Sequence, residues 1–170
     1  MADELGILYL RDVLERFQAY KKLGERAIAQ VYDSGLTWRF DPESNSIAIL
    51  VQHLAGNMRS RWTGFLTSDG EKPDRNRDAE FELERSMTRA ELLELWDDGW
   101  ARVFEALEAL RPEDLTRTVT IRGAPHSVVE AINIQLTHYA YHVGQIVQIA
   151  RHLAGPAWKS LTVPKRKPVG

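Results

Sequence analysis

Apolar residues recur every three or four positions in four stretches of the chain, with polar residues between them. This spacing is typical of amphipathic α-helices that bury one face. It predicts helices over about residues 4–32, 88–110 and 127–153, and another from Ser44 or Ser46 to about residue 66. Four helices of roughly 20 residues indicate an all-α four-helix bundle in which some connections cross over the ends.

The third and fourth helices carry the clearest start signals. Thr88 with Glu91 and Ser127 with Glu130 both fit a capping box, in which the first side chain accepts from an exposed backbone amide and the second reaches back to the cap. We therefore expect these two helices to begin directly after Thr88 and Ser127.

The connections between the helices differ in character. Residues 71–84 are rich in charged side chains, and we interpret them as a solvated loop. Residues 116–121 alternate like a strand but are too short to form a sheet, so we assign them to the connection before the fourth helix. Residues 156–170 are expected to extend over the surface.

Composition narrows the class of protein. The chain has 170 residues, 44% of them hydrophobic, which fits one domain over residues 1–170 with a substantial core. A net charge of −2 without a basic stripe argues against nucleic-acid or membrane binding. The sequence has no cysteine, no apolar run of transmembrane length and no signal-peptide pattern, so we expect a cytoplasmic protein.

Two histidines lie four residues apart in the apolar fourth helix. His138 and His142 fall about one turn apart on the same face, where both could bind one ion. Histidines with this spacing are also common by chance, and each ring could instead hydrogen-bond a neighbouring tyrosine, glutamine or carbonyl. The pair alone leaves both interpretations open.

A third ligand would have to come from another helix, and His53 in the second helix is the best candidate. It lies at the edge of the main apolar stripe, above a strip of small or polar residues that leaves room over the ring. His126 and His152 lie about 18 Å and 21 Å of helical rise from His138, too far to share its ion. We interpret His126 as a loop or cap residue and His152 as a last-turn residue favoured by the helix dipole.

Several motifs together resemble the DinB-like superfamily, over most of the chain. They are Ser44-Asn45-Ser46-Ile47-Ala48, His53-Leu54-Ala55-Gly56-Asn57-Met58, Arg61-Trp62, Asp69-Gly70-Glu71-Lys72, Arg77-Asp78 and His138-x-x-x-His142-x-x-Gln145-Ile146. The resemblance implies an up-up-down-down four-helix bundle, often a homodimer. It also implies a divalent metal ion held by His53, His138 and His142, with coordination positions left open.

Around these ligands, Gln145 and Asn57 are candidates to hydrogen-bond a water on the metal, since each lies about one turn from a histidine. Either amide could equally satisfy a backbone group across the bundle. We expect Tyr141 and the tryptophans Trp62, Trp96 and Trp100 to be core residues. Among metals that imidazole suits, zinc is the first choice and nickel the second.

The resemblance points to a metal-dependent enzyme, a thiol S-transferase or a hydrolase, that acts on a small electrophilic substrate. A low-molecular-weight thiol as co-substrate would supply the nucleophile that a cysteine-free chain lacks. Two alternatives remain open. One is a non-catalytic metal-binding stress-response protein, and the other is a structural dimer module whose core histidines only hydrogen-bond. The sequence assigns no catalytic residue.

Overall fold

A computed structural model describes residues 2–83 and 87–163, and four α-helices make up most of this part of the chain. They are α1 (Ala2–Ile28), α2 (Ile47–Trp62), α3 (Arg89–Glu108) and α4 (Val128–Ala154). The predicted four-helix bundle is therefore confirmed. Glu84 and the last seven residues of the expected surface tail, 164–170, lie outside the described residues. In the described ranges, no helix combines the length and the apolar character needed to span a bilayer.

The residues predicted to begin α3 and α4 cap these helices as expected. Thr88 and Ser127 each form a complete capping box at the starts of α3 and α4. At the start of α2 the cap is Ser46 rather than Ser44, since the Ser46 hydroxyl accepts from the amide of Ile49 at 3.2 Å. Each hydroxyl satisfies one of the amides that a helix start leaves without an intrahelical partner.

Helices α1 and α4 run parallel. Near their starts, the Tyr9 hydroxyl donates to Oδ1 of Asn133 at 2.9 Å, and beyond their ends, Gln30 donates to the carbonyl of Lys159 at 3.0 Å. Helix α3 runs the other way along α1, because Phe17 contacts Trp100 whereas Gly24, further along α1, lies against the earlier residue Trp96.

Helix α2 is likewise antiparallel to α4, since His53 contacts His142 and Trp62 contacts the earlier residue Tyr139. In chain order the helices therefore run up-down-down-up, which corrects the expected up-up-down-down arrangement. The reason is the path of residues 63–83: they return along the bundle and bring Ala79, Glu80 and Glu82 beside Gln52, so that α3 begins at the same end as α2.

A short antiparallel hairpin precedes α4. Strand β1 (Thr118–Ile121) pairs with β2 (Ala124–Ser127), so the assignment of this segment to a connection without a sheet was wrong. Arg122 and Gly123 join the strands with φ of 55° and 75°, the left-handed backbone of a tight two-residue hairpin turn, which glycine adopts without strain.

The carboxylate of Asp69 fastens this hairpin to the segment after α2. It accepts from the backbone amides of Glu71 at 2.7 Å and of Gly123 and Arg122 at 2.8 Å each. These hydrogen bonds hold the pKa of Asp69 far below its usual range. The hairpin is thus held against the end of α2 by a carboxylate that stays ionised.

Aromatic side chains fill the centre of the bundle. The three tryptophans expected in the core, Trp62, Trp96 and Trp100, are buried, together with Phe17 and Tyr139. Trp62 donates its indole N–H to the Tyr139 hydroxyl at 2.8 Å, and that hydroxyl donates to Oδ1 of Asn57 at 3.0 Å. These buried hydrogen bonds join α2 to α4 through Tyr139, the residue that follows His138.

We expect Tyr139→Phe to lower the free energy of unfolding by about 1–3 kcal/mol, because it leaves the Trp62 donor and the Asn57 acceptor buried without this partner. Urea unfolding monitored by circular dichroism measures the loss. Tyr141→Phe is the matched control, since it makes the same change on an exposed residue of α4. Equal stability of the two variants would show that the Tyr139 hydroxyl contributes nothing to stability.

Candidate metal centre

Three histidines converge where α2 crosses α4. His53 comes from α2, and His138 and His142 come from successive turns of α4. One ring nitrogen of each can be chosen so that all three lie within 4.8 Å of one another. Nε2 of His53 is 3.2 Å from Nε2 of His138. The structure thus brings together the three histidines proposed as metal ligands from the sequence.

Helix pitch brings His138 and His142 together, and the packing of α2 against α4 adds His53. Four residues apart on one helix, His138 and His142 point from the same face, and their ring centroids are 4.6 Å apart. His53 meets them from the antiparallel helix, with its ring centroid 4.9 Å from that of His142. His53 is 3% exposed and His142 7% exposed, whereas His138 is partly exposed.

The outer ring nitrogens of two histidines are already bonded. Nδ1 of His53 lies 2.8 Å from Oε2 of Glu80, and Nδ1 of His142 lies 2.8 Å from Oε1 of Gln145. Because both oxygens accept, each Nδ1 carries the proton. The lone pair of each neutral ring is then on Nε2, the nitrogen that remains for a ligand.

The environment keeps two of these rings neutral. Burial, together with the neighbouring His142 and His53, lowers the pKa of His138 to about 3. Burial likewise lowers the pKa of His142 to about 4, although the hydrogen bond that its ring donates to Gln145 acts in the opposite direction. Near pH 7 both imidazoles therefore offer a lone pair rather than a positive charge.

Glu80 is the residue of this site that sequence reasoning missed. It lies in the 3₁₀-helix Asp78–Phe81, within the connection between α2 and α3, and is only 7% exposed. Arg75 donates two hydrogen bonds to its carboxylate, from Nε to Oε1 at 2.7 Å and from Nη2 to Oε2 at 2.8 Å. Burial raises the pKa of Glu80, but the hydrogen bonds from His53 and Arg75 outweigh it and bring the pKa below its ordinary value.

The interpretation of residues 71–84 as a solvated loop is wrong for the charged side chains that matter here. Arg75 and Glu80 are buried against α2. Glu71 is partly buried and pairs with Arg61, Arg75 and Arg122. Glu71, Arg75 and Glu80 therefore belong to an internal network in which each buried charge has an opposite partner.

The other residues considered from the sequence lie partly at the cluster and partly elsewhere in the bundle. Gln145 bonds His142, whereas the oxygen of Asn57 is engaged by Tyr139 in the core. Tyr141, expected in the core, is 61% exposed, because its position on α4 faces away from the other helices; its ring centroid is 4.6 Å from that of His142. His126 lies in β2, and His152 stacks on Trp38 near the end of α4.

The donor set fits a divalent metal ion. Two nitrogens on one tetrahedral zinc, at about 2.0–2.1 Å each, lie about 3.3 Å apart, close to the 3.2 Å between Nε2 of His53 and Nε2 of His138. Imidazoles whose other nitrogen bonds a carboxylate or a carbonyl oxygen are the usual form of metal-binding histidine. Three histidine ligands leave coordination positions open.

The fold has a counterpart of known structure. A DinB-like protein, YjoA from Bacillus subtilis, matches this chain with a TM-score of 0.66 and 14% identity, covering 89% of this chain and 96% of that one. The class defined here is thus a four-helix bundle with the DinB-like fold that carries a three-histidine cluster. A family model described as "Protein of unknown function (DUF1572)" matches residues 4–167, and the chain belongs to that family. These matches confirm the resemblance read from the sequence motifs. No curated protein matches the chain.

Proposed function

We propose that the protein is a divalent-metal-dependent enzyme whose metal ion is held by His53, His138 and His142. The observation that carries this proposal is the meeting of three imidazoles from two helices, two of them with the outer nitrogen already hydrogen-bonded. A bound ion would act as a Lewis acid that lowers the pKa of a thiol or a water. Zinc is the first choice and nickel the second, since imidazole nitrogen suits both.

The reaction class follows from what the chain supplies. It has no cysteine, so a thiol nucleophile must come from a low-molecular-weight co-substrate, and water is the nucleophile if the enzyme is a hydrolase. Glu80 and Gln145 orient the rings of His53 and His142 through hydrogen bonds to Nδ1. We propose thiol S-transfer or hydrolysis on a small electrophilic substrate.

The proposal extends to the setting of the enzyme. Residues 1–170 form one domain, and the protein works in the cytoplasm as a homodimer. Dimerisation is supported by large apolar side chains that are exposed at the start of α1 and along α4, because such side chains mark interaction surfaces. They are Leu5, Ile7, Leu8, Ile134 and Tyr141. No nucleic acid or membrane is a partner, in keeping with the small net charge.

A turnover assay tests the enzyme proposal. We expect zinc- or nickel-loaded protein, screened with several bacterial thiols and electrophiles, to turn over at least one pair about 100-fold faster than His138→Ala, because that variant lacks one ligand. His126→Ala is the matched control, since His126 lies in the hairpin outside the cluster. Rates of the loaded protein that never exceed those of His138→Ala would contradict the proposal.

A second function is favoured by the burial of the cluster. With His53 3% and His142 7% exposed, an ion here could serve mainly to order the bundle of a non-catalytic metal-binding stress-response protein. The two functions predict different results in the same preparation. Stoichiometric metal that raises the melting temperature, without turnover of any thiol or water reaction, would favour the binding protein.

A further inference from the structure

We propose that Glu80 is a positioning residue that holds His53 in its Nδ1–H tautomer and so aims the Nε2 lone pair at His138 and His142. This inference rests on the proposed function only for its consequence in metal binding. The tautomer itself is a property of the protein without metal. Three observations support it: the contact of Glu80 with His53, the hydrogen bonds from Arg75 that hold the carboxylate, and the space at Gly56.

The contact between Glu80 and His53 is short and buried. Oε2 of Glu80 lies 2.8 Å from Nδ1 of His53, and the two side chains are 9% and 4% exposed. An ionised carboxylate can only accept, so the ring must present N–H at Nδ1. In the neutral ring the lone pair then lies on Nε2, on the side where His138 is 3.2 Å away.

Two further contacts keep the carboxylate in place. Arg75 binds both of its oxygens in a bidentate pair, a geometry that fixes orientation as well as charge. Gln52, the residue before His53, donates to the backbone carbonyls of Ala79, Glu80 and Glu82 at 3.1, 3.1 and 2.8 Å. The segment that carries Glu80 is thus fastened to the same turn of α2 that carries the ligand.

The sequence leaves space for this carboxylate at Gly56. A Cβ built at Gly56 would lie 2.7 Å from Cδ of Glu80 and still closer to Oε1, so any side chain there would displace the carboxylate. The glycine lies three residues after His53, one turn along the helix face. The room that the small residues leave above the imidazole is therefore occupied by Glu80.

Removing such a partner should weaken metal binding without removing a ligand. Loss of a group that orients a ligand histidine typically costs 10- to 100-fold in affinity. For Glu80→Gln we expect a fall of about 10- to 100-fold in zinc affinity. The amide can offer its oxygen to His53, but it loses the charge that pairs with Arg75 and can equally turn its NH₂ toward the ring.

Long-range ¹H–¹⁵N NMR at pH 8 reads the tautomer directly in metal-free protein. We expect Nδ1–H for His53 in the wild type, and a mixture or the Nε2–H form in Glu80→Gln. The matched control is Glu82→Gln, the same change on an exposed glutamate two residues away, which should keep the wild-type tautomer. Competition with a chromophoric chelator measures the zinc affinity of the same three proteins.

Gly56→Ala provides a second route, because it displaces the carboxylate without changing its chemistry. It should reproduce the NMR and affinity changes of Glu80→Gln. Gly144→Ala in α4, where an added Cβ meets open space, should not.

The inference is overturned if His53 in the wild type carries its proton on Nε2, or if Glu80→Gln leaves both tautomer and affinity unchanged. If the wild type binds no zinc, the proposed function fails, but the NMR result still decides the role of Glu80. An NMR change in Glu80→Gln that Glu82→Gln does not share supports the positioning role in either case.

Discussion

His53→Ala is expected to remove the metal ion from the purified protein. The variant keeps His138 and His142 on α4 but loses the nitrogen that α2 contributes. Two imidazoles on one helix lack the third ligand that a tetrahedral site with an open position requires. Elemental analysis of protein purified without an affinity tag or added metal should therefore fall from about one ion per chain to a small fraction of that.

His152→Ala is the matched control for this experiment. It removes an imidazole of the same chain that stacks on Trp38 and lies outside the cluster, so its metal content should equal that of the wild type. Unchanged occupancy in His53→Ala would reject His53 as a ligand. Metal missing from the wild type as well would favour the structural alternative, in which His138 donates across the 3.2 Å contact to His53.

The parts of the fold that could be predicted from the sequence are those set by local rules. A capping box depends on two residues three positions apart, and both Thr88 and Ser127 begin helices as predicted. The spacing of His138 and His142 depends only on the pitch of a helix. His53 was identified by its place beside an apolar stripe and by family resemblance, because nothing local fixes which helix faces α4.

Glu80 and Arg75 could not be found in this way, since their burial arises from tertiary packing. A segment rich in charges normally belongs in solvent, and only the return of this connection along α2 pairs the two charges inside the protein. The available signal was indirect. Gly56, one turn from His53, implied space above the ring, but the sequence did not indicate which group fills it.

The direction of the helices escaped prediction for a related reason. Apolar periodicity shows which face of a helix is buried but not which end of the bundle it starts from. That choice depends on the path of residues 63–83, which is held by contacts between distant parts of the chain, such as the hydrogen bonds from Gln52 to the carbonyls of Glu80 and Glu82. Tyr141 was misplaced because helical spacing alone does not define where the apolar arc of α4 ends.

The largest loss of stability is expected from Phe17→Ala. Phe17 is fully buried at the centre of the bundle, and its ring centroid lies 5.8 Å from that of Trp62, 6.1 Å from Trp100 and 5.7 Å from Tyr139. Truncation removes contacts with three helices and leaves a cavity between large rings that cannot collapse easily. We expect a loss of about 3–5 kcal/mol in the free energy of unfolding.

Urea unfolding in the presence of a chelator measures this loss, because bound metal would otherwise add to the apparent stability. Phe40→Ala makes the same change at a half-exposed ring in the connection before α2, and should cost less than about 1 kcal/mol. Equal losses in the two variants would mean that the aromatic cluster does not hold the helices together.

The aromatic cluster also bears on function, because Tyr139 is adjacent to His138 in sequence and donates a hydrogen bond to Asn57, four residues after His53. A rigid core at this level therefore sets the separation of α2 and α4 on which the three-histidine site depends.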